Sequence, residues 1–540
     1  MSNAGQITSQ LWAMANKLRG TMDASEYKNY ILPFMFYRYL SENQDEHLKQ
    51  NGLEDFYSVD DQEELEDYLE EISKGIGYAI EPYYTWEKIV SKIESHKIKA
   101  SDFQDMFDSF NTNAKRNPIA EADFANVFSD VNLGDTRLGV STNERAKALN
   151  DIVLMINEFK FKNESGQDIL GDVYEYLIGQ FAANAGKKGG EFYTPHEVSR
   201  VLAKLVTFNA QEGDGQFRVY DPAMGSGSLL LTVQKELPYG DKEGSVEFYG
   251  QELNTTTYNL ARMNLMMHGV NYRNMELKRA DTLDIDWPFD ERNGTQIPLK
   301  FDAVVANPPY SQTWDIKGID REKDSRFKGY GIAPASKADY AFVLHGLYHL
   351  DTKGTMAIVL PHGVLFRGAS EAKIRKNIID NNLLDAVIGL PANLFYGTSI
   401  PTCVLVFKGR EARKTKDILF IDASNEFEKD KNQNKLREEH IEMIIETYNN
   451  RNSVEKYAHL ATLDEIKEND YNLNIPRYVD TFEEEEVISL SQIGKELSEV
   501  KCDIEESELK LLEMLQELVG ATGEVEDEIT KLVNSIKTTN

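Results

Sequence analysis

The tetrapeptide Asn307-Pro308-Pro309-Tyr310 follows directly on the apolar run Phe301-Asp302-Ala303-Val304-Val305-Ala306. Two prolines fix φ and remove two backbone donors, so the Asn307 amide oxygen and the Pro308 carbonyl project rigidly as neighbouring acceptors. A planar amine or amide carries two N–H donors that match such a pair. Tyr310 adds a flat face on which a base can stack, worth roughly 1–3 kcal/mol. Residues of these types in this order can hold a planar nitrogen group and aim its lone pair.

Three weaker signals precede it. Asp221-Pro222-Ala223-Met224-Gly225-Ser226-Gly227-Ser228 follows a predicted strand ending at Tyr220. Its glycines permit a tight turn and close approach of backbone to a ligand, and the helix opening at Ser228 aims its amides there. The next strand closes at Gly250-Gln251-Glu252-Leu253-Asn254. A carboxylate at Glu252 can accept from both hydroxyls of a ribose, or the segment can simply start a helix. Asp281, in Ala280-Asp281-Thr282, can accept a hydrogen bond from an adenine amine.

The elements that must position these residues are legible as alternating runs. Strands are predicted over 217–220, 246–250, 301–306, 355–360, 384–390 and 402–407, with helices such as 228–237 and 255–268 between them. That alternation predicts an α/β fold with an open, mostly parallel sheet, whose ligands sit at the carboxyl ends of the strands. Residues 1–165 read as a polar, helical domain. Leu11, Met14 and Leu18 recur at helical spacing, as do Tyr30, Phe34, Tyr37 and Leu40, with Pro33 marking a helix start or a kink. The acidic stretch Asp60 to Glu71 reads as a solvated face. Residues 166–480 form the predicted catalytic domain, with a surface loop over Lys429 to Gln433. Residues 481–540 form an arm in which Ile493, Leu497, Val500, Ile504, Leu511 and Leu518 trace a heptad seam. Gly520 to Gly523 interrupts that pattern, and Val525, Ile529, Leu532 and Ile536 resume it, as a helical hairpin or coiled coil would.

Taken together, these motifs resemble the class I S-adenosylmethionine-dependent methyltransferases of Rossmann-like fold that methylate the exocyclic N6 amine of adenine in DNA. Glu191-Phe192-Tyr193-Thr194-Pro195-His196 matches the family's remaining cofactor motif, and its place before the glycine turn fits the gamma order. Leu11 to Gly20, Phe36 to Asn43, Ala182 to His196, Ser336 to Leu350 and Asn393 to Ser399 extend the likeness to the modification subunit of type I restriction–modification systems. The resemblance implies S-adenosylmethionine as cofactor. Its methionine part would lie against Glu191 to His196 and the Asp221, Gly225, Ser226 and Gly227 turn, its ribose on Glu252 and its adenine on Asp281. Asn307, Pro308, Pro309 and Tyr310 would take an adenine flipped out of double-stranded DNA, with Phe395 as a second stacking aromatic and Tyr396 as its alternative. The implied chemistry is in-line methyl transfer without a metal. The implied partners are a specificity subunit that reads the sequence, a second modification subunit and an ATP-dependent restriction subunit.

Composition narrows the role. The chain has 540 residues, 41% hydrophobic, with a net charge of −31. A protein that grips DNA alone is usually basic, so much of the grip is expected from a partner. A local basic strip at Arg321, Lys323, Arg326 and Lys328 is the expected exception. Cys403 and Cys502 are too far apart in sequence to suggest a metal cluster or a disulfide framework. His196, His268 and His362 read as packing or hydrogen-bonding residues. Without a phosphate-binding Gly-Lys loop, no DNA-translocating ATPase is expected in this chain. With two distant cysteines, no secretion signal and no apolar run near the roughly 18–20 residues of a membrane span, a cytoplasmic protein is expected, and the resemblance implies a prokaryotic one. Competing readings are a methyltransferase of protein glutamine or RNA, since the same acceptor pair serves those amides and amines, and an inactive scaffold.

Overall fold

Strand Phe301–Ala306 is buried along almost its whole length, as a strand covered on both faces must be. The computed structural model describes residues 24–159, 169–184, 193–211, 215–284, 287–292, 294–316, 321, 323–395, 398–430, 433–481, 490–518 and 522–538. The strand lies in the middle of a nine-stranded sheet. In chain order the strands are β1 Phe217–Asp221, β2 Val246–Glu252, β3 Met275–Arg279, β4 Phe301–Ala306, β5 Leu350–Pro361, β6 Leu384–Gly389, β7 Thr402–Lys408, β8 Ile418–Asp422 and β9 Ala458–Ala461. Their order across the sheet is β3-β2-β1-β4-β5-β7-β6-β8-β9.

Only β7 and β9 run against the rest. Strand order reverses between β1 and β4, which pair in parallel through Val219 with Ala303 and Tyr220 with Val304. Their carboxyl ends therefore open a crevice at the switch point, the place where such sheets bind ligands. Asp221 ends β1, and Asn307 follows the last residue of β4. The sheet thus brings the glycine turn and the acceptor loop side by side.

All six predicted strands are present. Sequence reading misses β3, β8 and β9, and two hairpins, Phe289–Arg292 with Thr295–Pro298 and Glu428–Asp430 with Gln433–Lys435. Of the surface loop expected at Lys429 to Gln433, Lys429, Asp430 and Gln433 are strand residues of the second hairpin, and Lys431 and Asn432 lie outside the described residues. Pro33 does not start a helix. It lies inside Ala24–Asn51, where burial of Tyr30, Ile31, Phe34, Met35, Phe36 and Tyr37 offsets the missing backbone bond. The expected repeat at Leu11, Met14 and Leu18 lies outside the described residues. Asp60 to Glu71 is largely exposed, and Asp61 caps helix Gln62–Ile76.

The helical N-terminal region packs directly onto the sheet's own helices. Arg262, in helix Thr255–Met267, donates Nη1 to the carbonyls of Ala122 at 3.0 Å, Asp123 at 3.0 Å and Ala125 at 3.1 Å. Tyr272 meets Phe124 edge-on with centroids 5.9 Å apart. Residues up to Asp480 accordingly belong to one compact unit, and Thr481–Asn540 to a second. That second unit contains two contacting helices, Leu490–Gln516 and Gly523–Thr538. Among the described residues, no helix is long and apolar enough to cross a membrane.

Candidate active site

The acceptor loop is held at its first residue. Asn307 is buried and donates Nδ2 to Thr194 Oγ1 at 2.9 Å. A hydroxyl that accepts from the amide nitrogen fixes which way the amide faces, so Oδ1 is left as the acceptor on the other side. Tyr310 donates its hydroxyl to that Oδ1 at 2.8 Å. Its ring meets Phe395 edge-on, with centroids 6.2 Å apart and an interplanar angle of 82°. Phe395 is itself buried. Tyr396 lies outside the described residues, as do Glu191 and Phe192. Burial, with the neighbouring Cys403 and Asp339, pushes the Tyr310 phenol well above its ordinary range, so it remains a neutral donor.

Across the crevice, β1 ends in the buried Asp221, whose Oδ1 accepts from Ala223 N at 2.9 Å. Burial raises its pKa to about 8, and the Glu252 charge adds to the rise. Gly227 has φ 76, and a side chain there would run into Leu265. Gly250 is likewise closed off by Met224. These two glycines let the turn, β2 and helix Thr255–Met267 approach one another closely. Asn264 ties the turn from below, donating Nδ2 to Ser226 O at 2.9 Å.

Glu252 and Asp281 are both partly exposed at the carboxyl ends of β2 and β3. Glu252 Oε1 accepts from Asn254 N at 2.9 Å and Asp281 Oδ1 from Leu283 N at 2.9 Å, so each carboxylate is oriented by its own turn. Glycine backbone, helix amides at Ser228 and two carboxylates along one crevice form a donor and acceptor set that fits a nucleoside carrying an amino-acid tail. Tyr193, Thr194 and Pro195 lead into helix His196–Thr207, and His196 is exposed at its start.

The basic strip requires correction. Arg321 and Arg326 are each only 2% exposed. Arg326 donates to Thr282 O at 2.8 Å and Leu283 O at 3.1 Å, and Arg321 to Leu283 O and to Asp284 Oδ1 at 2.7 Å. Both guanidiniums therefore face inward, against the loop that carries Asp281. Sequence spacing cannot separate a phosphate-binding arginine from one that caps carbonyls, because both sit in polar loops. Arg326 also reaches His345 Nδ1 at 3.2 Å, while the same ring meets Tyr220 Oη at 2.7 Å through Nε2. Burial first, then His349 and Arg326, drives the His345 pKa well down. His268 and His362 each bond a backbone carbonyl, Asn264 O at 2.9 Å and Thr402 O at 3.0 Å. Cys403 and Cys502 are free thiols. Among the described residues, no cluster of side chains could hold a metal ion.

A reversed parallel sheet with an antiparallel strand inserted as β7, a glycine turn after β1 and an acceptor loop after β4 defines a class I S-adenosylmethionine-dependent methyltransferase. Residues 165–487 match the family described as N-6 DNA Methylase, and residues 7–156 match the HsdM N-terminal domain. The MpnII type I restriction enzyme methylase subunit of Mycoplasma pneumoniae is 36% identical over 527 residues, covering 95% of this chain and 96% of the relative. The solved type I restriction-modification methyltransferase subunit of Streptococcus thermophilus superposes with a TM-score of 0.80 at 43% identity, covering 89% of this chain and all of that one. A modification subunit from Vibrio vulnificus shares the fold at 19% identity, with a TM-score of 0.61 over 89% of this chain and 98% of that chain. The chain belongs to the type I restriction enzyme methylase subunits of the N-6 DNA methylase family. It is an adenine-specific DNA methyltransferase.

Proposed function

We propose that this chain binds S-adenosylmethionine in the crevice between β1 and β4 and methylates an adenine flipped out of duplex DNA. It does so as the modification subunit of a type I complex, in which a specificity subunit reads the sequence. A second copy of the chain and an ATP-dependent restriction subunit complete the assembly. The observation that carries this reading is the Asn307 amide, oriented by Thr194 so that Oδ1 meets the hydroxyl of Tyr310, whose ring in turn meets Phe395.

The cofactor, when bound, supplies a methyl group on a sulfonium. The rest falls to the chain. Gly225 and Gly227 keep side chains away from the turn, Glu252 accepts from ribose hydroxyls, and Asp281 accepts from the cofactor's adenine amine. Asn307 Oδ1 and the Pro308 carbonyl accept the two N–H bonds of the target amine. That pairing favours a pyramidal nitrogen, whose lone pair is then free of the ring and stabilised as positive charge develops. Before a base enters, Tyr310 occupies one lone pair of Asn307 Oδ1, so part of the acceptor's demand is already met in the free enzyme. An adenine in the duplex cannot reach these groups, which is why extrusion is required.

A methyl-transfer assay with labelled cofactor, offering DNA, RNA and protein to the chain assembled with its specificity subunit, tests the reading. Label is expected in DNA alone, as N6-methyladenine. Label in protein glutamine or RNA would replace it with one of the competing substrates.

A further inference from the structure

We propose that Asp339 is a positioning residue that pins the acceptor loop from its far end, with Arg367 as its strut. The proposal rests on the acceptor role given to Asn307 above. Pro308 and Pro309 carry no N–H, so the loop cannot be secured by a ladder of its own. Its first tie past Tyr310 is Ser311, whose N–H donates to Asp339 Oδ1 at 2.8 Å. Ser311 has φ 52, a conformation that an ordinary L-residue keeps only when its surroundings impose it.

The other Asp339 oxygen accepts from Arg367 Nη1 at 2.7 Å. The same Nη1 reaches Glu371 Oε1 at 3.2 Å, and Nη2 lies 3.5 Å from Ser311 Oγ. Ser311 is thus gripped through its backbone by the carboxylate and through its hydroxyl by the guanidinium. Asp339 is fully buried, where a carboxylate persists only with charged or hydrogen-bonding partners. It opens helix Asp339–His349, which packs on β4 and β5, so the anchor is fixed to the strand that delivers Asn307. The segment between them is closed on itself by Ala338 N to Gln312 O and Trp314 N to Ala335 O, both at 2.9 Å.

The loop is therefore held at two ends, by Thr194 at Asn307 and by Asp339 at Ser311. Both oxygens of Asp339 are engaged in this holding, so its effect on the reaction passes through the loop. Release at Ser311 leaves Tyr310 and the Pro308 carbonyl free to drift relative to the methyl donor. A displacement near 1 Å is enough to cost about 100-fold in rate.

The test is single-turnover transfer from labelled S-adenosylmethionine to unmethylated duplex DNA, with the full chain in complex with its specificity subunit. Asp339→Ala is expected to lower the transfer rate about 100-fold while cofactor and DNA dissociation constants stay within about twofold. Asp339→Asn keeps an oxygen for the Ser311 N–H and should recover about tenfold of that loss. Arg367→Met, which leaves Asp339 in place, should fall between them, and it stands in if Asp339→Ala does not fold. Near-normal transfer by Asp339→Ala or Arg367→Met, or binding losses as large as the rate loss, would overturn the brace alone, provided Asn307→Ala is inactive. An active Asn307→Ala would overturn the acceptor reading and the brace with it.

Discussion

At the scale of single residues, the free site is self-satisfied in a way that bears on catalysis. Tyr310 offers both a stacking face and a hydroxyl bonded to Asn307 Oδ1. Tyr310→Phe keeps the face and loses the bond to Asn307 Oδ1, so methyl transfer should stay within about tenfold of wild type. Tyr310→Ala removes the face and should cost about 1–3 kcal/mol of base binding. Steady-state kinetics on both variants distinguishes stacking from hydroxyl chemistry. Asp221 gives a pH prediction. Its folded pKa is raised by burial to about 8 from an ordinary 3.8, so the folded chain holds a proton that the unfolded chain releases. By linkage its contribution to stability is full below about pH 4 and declines as pH rises to about 8. Melting temperatures of wild type and Asp221→Asn should therefore diverge in that window, with the variant favoured at the higher pH. Parallel curves would show that Asp221 does not titrate there.

At the scale of elements, one guanidinium ties together several backbone groups at the junction between the helical region and the sheet. Arg262 satisfies three carbonyls at the end of helix Glu121–Phe124. Arg262→Met keeps much of the volume and leaves the Asp123 and Ala125 carbonyls unpaired in a buried place, so at least about 2 kcal/mol of stability should be lost. Thermal unfolding and proteolysis between residues 100 and 130 would reveal it, and an unchanged melting temperature would contradict it. This junction was not legible in the sequence, because Arg262 and Ala125 are 137 positions apart. Among the legible strands β4 and β7 are short, buried, largely apolar runs, as strands covered on both faces tend to be, whereas β1 and β2 break theirs with Arg218 and Glu247. β8, Ile-Leu-Phe-Ile-Asp, is such a run and is missed without a reason in its composition. β3, at the sheet edge, reads Met-Glu-Leu-Lys-Arg and carries no such run, and β9 has only four residues. The site divides in the same manner. Motifs contiguous in sequence, such as Asn307 to Tyr310 and Asp221 to Ser228, could be read directly. The partners that orient them, Thr194 for Asn307 and Asp339 for Ser311, come from distant elements. In the sequence Thr194 stands only within a cofactor motif, and nothing in the spacing of Arg321 and Arg326 distinguishes inward guanidiniums from a surface strip.

At the scale of the whole molecule, charge divides the labour. The net charge of −31 opposes a phosphate backbone, and burial of Arg321 and Arg326 removes two of the cations expected beside the acceptor loop. The chain alone should retard duplex DNA weakly at ~150 mM salt and gain sequence-specific binding with its specificity subunit. In the second compact unit, Ile493, Leu497, Val500 and Ile504 are 43–57% exposed, an apolar seam of the kind that partner helices cover. Deleting Ile493 to Asn540 should impair assembly more than cofactor binding, and pull-down beside calorimetry measures both. Acceptance of a target adenine's amine by Asn307 is tested most directly by base-resolution mapping of DNA modification. Wild type co-expressed with its specificity subunit should place N6-methyladenine at one recurring sequence. Asn307→Ala, with cofactor binding intact, should leave that sequence unmodified. Methylation of another base, or N6-methyladenine persisting in the variant, would contradict the account.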